Sequence, residues 1–493
     1  MSSSDNESET GWSQWWSETS GGESDADRIR RNDNSLTEVE IHNCWLNSDD
    51  AIEILDALKN NTVVKKVLLV DTEILLPGNQ EVHLKLCEVM QCNKSVECLH
   101  FEMQIEDENY EIEDETNEIT HDRHYERLYA AMATSGGWSS LKELAFYNDG
   151  ISYDEPLSLT DAEHISSFII QCENLRTFSL EVPGSETGPI IETLSRTKVQ
   201  SLRLSYHSTF PIQNEGSSLA AALEGCTCIT DLYLKFPSYV DHVEFFQILL
   251  LESIPKMLGL KKLELRSCRR VDQGFFDMIG QCIGGHQGEI QELILGCHHS
   301  SENSSSIVGL APALRRLKVI RFDCWADLTL QGMSELSGII ADCDELEEFG
   351  YDISTRGNST DDVKAICQLW SRFPSLKRVT KIYPGASVVD LREEGRFTAF
   401  LEMIKTSKTI EQVPPFECNN AEEEATIQHH CRNNMIHNQI RENGLLAATV
   451  PSSSWPLILK KFSDMPDVLY YLLQQKHGAM IGPTSCKRKQ AFD

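Results

Sequence analysis

The 493-residue sequence predicts an α/β solenoid, with a parallel sheet lining the concave face and helices on the convex face. Three observations predict it. A short extended phrase places apolar residues at positions 1, 4 and 6, clearest at Leu260-Lys261-Lys262-Leu263-Glu264-Leu265-Arg266-Ser267-Cys268 and repeated at Leu36-Thr37-Glu38-Val39-Glu40-Ile41-His42-Asn43-Cys44. The phrase recurs at intervals near 30 residues. Amphipathic helical patterns fill the intervals, so a strand period of 2 alternates with a helix period of 3.6. A fixed period of this kind means that each repeat packs only on its neighbours, so the chain escapes the size limit of one compact core.

In chain order, residues 1–33 carry eight Asp/Glu and three Arg and read as a disordered acidic tail. Trp12, Trp15 and Trp16 stand out in it, either as a short docking motif or as incidental aromatics in a solvated tail. Strand-like segments begin at Leu36, Val64, Val96, Leu141, Leu175, Val199, Ile229, Leu260, Ile290, Leu317, Leu346 and Leu376, with a degenerate last one at Ile410. The solenoid is therefore expected over 34–418. The longest interval, 45 residues, contains 104–122, where nine Asp/Glu meet no Lys or Arg. That stretch is an insertion between repeats. It is also a candidate to fold over and block a basic face.

Helices are expected at 50–58 (Ile52, Leu55 and Leu58 on one face), 164–172, 219–223, 275–279, 336–340 and 363–370. Thr160-x-x-Glu163 reads as a capping box, and Ser359-x-x-Asp362 resembles one. Residues 419–447 read as a polar helix closing the array, which otherwise exposes the core face of its last repeat. Residues 419–479 form a C-terminal helical module, and 480–493 a disordered tail.

The phrase L-x-x-L-x-L-x-x-N/C followed by a helix resembles the leucine-rich repeat over roughly 36–418, and its length resembles the ribonuclease-inhibitor-like subclass. The resemblance implies a horseshoe used for protein recognition. In the family the ninth position bonds loop backbone between turns. Here it is Cys in two copies but Thr72, Asp149, Pro183, His207, Pro237 and Trp325 in others, so that ladder is expected to be broken. After the array, Asn443-Gly444-Leu445-Leu446, then Trp455-Pro456 and Asp467-Val468-Leu469-Tyr470-Tyr471-Leu472-Leu473, resemble the C-terminal signature of a large leucine-rich-repeat family expanded in diatom algae. Arg441-Glu442-Asn443-Gly444 departs from that family's first box.

A formal charge of −32 argues against nucleic acid and against an anionic membrane surface as partners. No apolar run reaches transmembrane length. The N-terminus lacks the basic start and apolar core of a signal peptide. The expected compartment is the cytoplasm, with the nucleus as alternative should the short run Lys487-Arg488-Lys489 act as an address. Disulfides are then not expected among the sixteen cysteines. Cys92, Cys172, Cys226, Cys282, Cys343 and Cys367 fall in repeat seams, where a thiol packs as a small hydrophobe.

No catalytic signature appears, neither a phosphate-cradling glycine loop nor a G-x-S-x-G elbow nor an H-E-x-x-H pair. No cofactor is implied and the chain is read as a non-enzyme. His298 with His299, His429 with His430, Cys431 and His437, and His121 with His124 read as surface histidines, because none completes a four-ligand set; no metal is expected.

The functional reading comes from alternation. Positions 4 and 6 point into the core, and 3, 5 and 7 onto the concave face. The middle repeats then present Tyr147, Arg203, Tyr233, Lys235, Arg266 and Arg321, together with Lys262 and Glu264. The outer repeats present Glu38, Glu40, Glu102, Glu348 and Asp352. Tyr and Arg dominate binding hot spots. Those six middle residues are the candidate partner-binding set for an acidic or mixed protein. The plainer reading is that the charges neutralise one another across strands. Alternatives to a protein-binding scaffold are a substrate adaptor of a ubiquitin ligase, though no F-box precedes the array, and a small-GTPase regulator.

Overall fold

The computed structural model describes residues 25–42, 48–70, 80–103, 126–148, 157–182, 187–206, 219–236, 243–268, 273–297, 308–322, 343–351, 360–380, 389–414 and 416–442, with the single residues Lys460 and Tyr470. The acidic insertion 104–122, the helix expected at 336–340, Asp352, the Ser359 box, the ninth-position residues Thr72 to Trp325 and nearly all of the 450–479 module lie outside them.

The chain divides into two compact blocks, Met1–Leu232 and Tyr233–Asp493. In the first block the strands are β1 (Glu38–His42), β2 (Lys66–Val70), β3 (Cys98–Met103), β4 (Glu143–Asn148), β5 (Thr177–Val182) and β6 (Ser201–Tyr206). Each pairs in parallel with the next, in chain order. The strand β7 (Asp231–Lys235) carries the chain across the division. In the second block β8 (Lys262–Cys268), β9 (Glu292–Cys297), β10 (Val319–Phe322), β11 (Glu348–Tyr351) and β12 (Arg378–Thr380) pair in the same parallel, sequential way. A helix or helical segment separates most strand pairs, among them Ser48–Leu58, Gln80–Cys92, Glu126–Thr134, Leu159–Gln171, Gln273–Gly285 and Thr360–Trp370. This is an α/β solenoid of leucine-rich-repeat type.

The repeat phrase works as its spacing predicts. Leu260, Leu263 and Leu265 are fully buried, and so are Leu141, Leu144 and Phe146. Parallel pairing starts at position 2. Its backbone carbonyl accepts two amides from the following repeat: Thr37 from Lys65 and Lys66, Lys65 from Glu97 and Cys98, Glu97 from Lys142 and Glu143. The same fork recurs at Lys261, Gln291, Lys318, Glu347 and Lys377 in the second block. Aromatics fill the space behind the sheet. Phe101 stacks on Phe146 at 5.0 Å, and Phe349 lies 5.7 Å from Phe322 and 5.6 Å from Phe373.

A second ladder sits at the helix-to-strand turn. Asn61 stands three residues before Val64. Its Oδ1 accepts the amides of Val63 and Val64, and its Nδ2 donates to the Ile29 carbonyl at 2.7 Å. Asn93, three residues before Val96, repeats the arrangement and donates to the carbonyls of Leu58 and Asn61. Trp138 continues it, its Nε1 donating to the Asn93 carbonyl at 2.9 Å. In the second block Arg316 does related work. Its guanidinium donates to the carbonyls of Ile283, Gly284, His286 and Gly288 and so caps the end of the helix Gln273–Gly285.

Three sequence readings are corrected. The helix Asp25–Arg30 lies inside the stretch read as a disordered tail, with Ala26 and Ile29 buried. The capping box of the helix Leu159–Gln171 is Ser158 with Asp161, not Thr160 with Glu163; Thr160 is already the second residue of the helix, past the N-cap position from which a side chain serves the first-turn amides. Cys92 is exposed, whereas Cys172, Cys226, Cys282, Cys343 and Cys367 are buried. The array ends at β12, whose Arg378 bridges Gln412 in parallel. The helix Ala421–Glu442 follows, and its Asn434 donates to the carbonyls of Ile404 and Ile410.

Candidate interaction faces of the two blocks

Alternation puts positions 3, 5 and 7 of each strand on the face opposite the helices. In the first block, register aligns Ala145 with Ser179 and Ser179 with Arg203. Tyr147, two residues beyond Ala145, shares that face. The Tyr147 phenol is half-buried, and burial raises its pKa while the Arg203 charge and a hydrogen bond with Ser179 oppose the rise. Structure therefore brings these two candidates into one cluster. His100 joins them, its ring meeting Tyr147 edge-on at 5.6 Å. The Nε2 of His100 lies 2.9 Å from Oε1 of Glu143, and this contact holds the Glu143 carboxyl below its ordinary range. Ser205 donates to Glu181 at 2.9 Å.

Cys98 approaches the same Glu143 carboxylate at 3.8 Å, which sets a thiol, a carboxylate and an imidazole side by side. Burial first, and the Glu143 charge second, push that thiol up to about 11. It is protonated at neutral pH and a poor nucleophile. The cluster is suited to holding surface shape rather than to covalent chemistry.

In the second block, Arg266 lies over the Tyr233 ring at 6.0 Å, and its Nε donates to Glu264 at 2.6 Å. Gly296 faces Arg266 across the β8–β9 pair. A Cβ on Gly296 would sit 3.1 Å from the Arg266 Cγ, so the glycine leaves room for the arginine to lie down on the sheet. Lys262 approaches Glu264 at 3.9 Å. The aliphatic face residues Ile294 and Val319 are buried although they point to this side. Lys235 stands at position 7 of β7, two residues beyond Tyr233.

Arg321 belongs to a separate group. Its Nε donates to Oε1 of Glu348 at 2.6 Å, while Nε of Arg378 donates to Oε2 of the same carboxylate at 2.8 Å. Glu348 is only 2 % exposed. The expected exposed acid at Glu348 is thus corrected: two arginines cover it. The cross-strand neutralisation expected of the charged face is real at Glu348, whereas Glu264 is paired along its own strand with Lys262 and Arg266. Arg378 is a face residue that the reading of alternation passed over, although it stands at position 3 of its repeat and the same rule finds it. In the first block Glu38 is likewise paired, with Lys66 at 2.5 Å.

Of the histidines, His429 and His430 meet edge-on at 5.8 Å on the helix Ala421–Glu442, and His429 Nε2 pairs with Asn433. Among the described residues no three His, Cys, Asp or Glu side chains are grouped to hold a metal ion. No described helix is long and apolar enough to cross a membrane.

No protein-family model matches the chain, and no curated protein matches it. Among solved structures, the chain is similar to a complex of Rad7 and Elc1 in yeast, at 10 % identity, with 81 % of this chain and 87 % of that one covered and a TM-score of 0.37. A complex of TLR13 with ssRNA13 aligns at 13 % identity over 80 % of this chain and 64 % of that one, with a TM-score of 0.26. The actin-binding site 2 of leiomodin-1 aligns at 17 % identity over 35 % of this chain and 83 % of that one, with a TM-score of 0.24. At these scores the architecture of the chain rests on its own strands and helices.

Proposed function

We propose that the chain is a non-enzymatic scaffold that binds protein partners on its strand faces. The observation that carries the reading is the fixed arrangement of Arg and Tyr side chains at positions 3, 5 and 7. Arg266 is held between the Tyr233 ring and the Glu264 carboxylate, and Arg321 against Glu348. Binding normally costs about 0.5–1.5 kcal/mol for each long side chain that must be ordered. Here that ordering precedes the partner. A sheet face of stacked repeats supplies a broad rigid platform for the same reason.

The binding set is Tyr147 and Arg203 in the first block, and Tyr233, Lys235, Arg266 and Arg321 in the second, with Arg378 added. The helix-bearing repeat near 30 residues supports placement in the ribonuclease-inhibitor-like subclass. The free buried thiols Cys172, Cys226 and Cys282 suit a reducing, cytoplasmic setting. The net charge of −32 disfavours nucleic acid and anionic membranes as partners.

Charge reversal tests the reading. Affinity purification from native cells with Arg203→Glu and Arg266→Glu should lose partners that the parent chain and a helix-side variant, Lys364→Glu, both retain. Retention of every partner by the strand-face variants would overturn it.

A further inference from the structure

Three adjacent strands of the second block hold two guanidiniums against one carboxylate, and among the described residues most of their donors have no partner. Arg321 faces Gly350 across the β10–β11 pair, and Glu348 faces Arg378 across the β11–β12 pair. Glu348 gives one oxygen to each arginine, and in both bonds the donor is Nε. A guanidinium carries five N–H donors, four of them on its Nη atoms. Beyond Glu348, neither Arg321 nor Arg378 has a hydrogen-bond or ion-pair partner among the described residues. Their side chains are 34 % and 42 % exposed. Both side chains are thus fixed at Nε while remaining partly exposed.

We propose that this pair recognises carboxylate side chains of a partner protein, presented by an extended acidic segment laid across β10–β12. The inference rests on the strand-face reading above and specifies its partner. Both Nε atoms bond the same carboxylate, so they stand within about 8 Å of each other, two hydrogen bonds plus the width of that group. Residues i and i+2 of an extended chain project to one side about 7 Å apart. An alternating Glu-x-Glu segment thus matches the spacing, one carboxylate for each guanidinium edge. Arginine favours such planar, two-pronged contact with a carboxylate. Two carboxylates spread their charge over two separate guanidiniums, whereas a single phosphate group concentrates the same charge at one point. Lys262 and Arg266 on β8 extend the cationic side of the same block. Glu348 is a positioning residue, since it touches the partner only through the arginines.

The full-length chain is titrated into fluorescent hexapeptides near 0.1 M salt, read by anisotropy. The peptides are Glu-Ser-Glu-Ser-Glu-Ser, its glutamine counterpart, a blocked Glu-Glu-Glu-Ser-Ser-Ser, and a phosphoserine version. The alternating acidic peptide should bind at least tenfold more tightly than the glutamine peptide, and more tightly than the blocked one. Arg321→Gln and Arg378→Gln should each weaken it about tenfold, and Lys364→Gln should not. Glu348→Gln separates orientation from charge: the inference expects weaker binding and loss of the alternation preference, whereas a purely electrostatic surface would bind more tightly. Should Arg321→Gln fail to fold, Arg321→Lys keeps the charge toward Glu348 and still loses the planar edge. Equal binding of the acidic and glutamine peptides, preference for the phosphoserine peptide, or unchanged affinity in both arginine variants overturns the inference. If it falls while Arg266→Glu still loses its cellular partner, the strand-face reading stands.

Discussion

In the first block, positions 3, 5 and 7 carry Tyr147, His100 and Glu143, joined ring to ring and ring to carboxylate. In the second block the same positions carry Arg266, Arg321 and Arg378, laid against the buried carboxylates Glu264 and Glu348. The backbone beneath is the same in both, with a position-2 carbonyl forking to two amides of the next repeat. The turns differ as the faces do: Asn61 and Asn93 tie them in the first block, while Arg316 caps one in the second. A solenoid is held by its core leucines and its backbone ladder, so exposed face positions can vary at less cost to the fold than core positions. Two blocks of one chain can therefore present surfaces of different chemistry.

The largest expected difference lies between two carboxylates. Glu348→Ala removes a buried acceptor shared by two part-exposed arginines and should destabilise the second block by about 2–3 kcal/mol. Glu143→Ala removes a partner that is about one-third exposed and should cost less than about 1 kcal/mol. Its sign follows from its lowered folded-state pKa: the contribution is complete above the ordinary glutamate range and fades as pH falls through the folded value. Urea denaturation of both variants, at neutral and acidic pH, reads the contrast. Equal losses would erase the distinction between a buried and a surface network.

Next in size are the turns. Asn93→Ala leaves the amides of Ser95 and Val96 and the carbonyl of Leu58 without their side-chain partner, while the Asn61 carbonyl keeps the Ser95 hydroxyl, and should cost about 2 kcal/mol. Arg316→Met should cost a similar or smaller amount, because its carbonyl partners are only part-buried. Amide hydrogen exchange should localise each loss to its own block.

The smallest expected difference is between cysteines, and here the blocks should agree. Burial pushes the thiols up to about 11 at Cys172 and to about 12 at Cys226, Cys282 and Cys367. At pH 8 iodoacetamide should modify exposed Cys92 and Cys228 in the folded chain and reach the buried four only on unfolding, as peptide mass spectrometry would show. Rapid native labelling of Cys282 or Cys367 alone would mark the second block as loosely packed.

Much of this was readable from sequence. The phrase starting at Leu260 marks a strand whose side chains alternate as the spacing predicts, and the same alternation puts Arg266 beside Tyr233 and Arg321 beside Glu348. The errors have physical causes. Glu348 reads as an exposed acid because its partners, Arg321 and Arg378, lie about thirty residues away on either side, and only strand register joins them. The Asn61 and Asn93 ladder was missed because the family's asparagine is sought at the ninth position, after the strand, whereas these residues precede it by three. The helix Asp25–Arg30 offers only Ala26 and Ile29 as apolar residues, too short a signal amid acid, and Asn61 reaching back to the Ile29 carbonyl is a tertiary contact.

The most direct test of the central claim is site-specific photo-crosslinking in the native cell. A benzophenone side chain is placed at Tyr233 on the strand face or at Leu84 on the helix Gln80–Cys92, where the native leucine is 63 % exposed. The account predicts a discrete protein adduct from Tyr233, lost with Arg266→Glu, and none from Leu84. An adduct from Leu84 alone would contradict it.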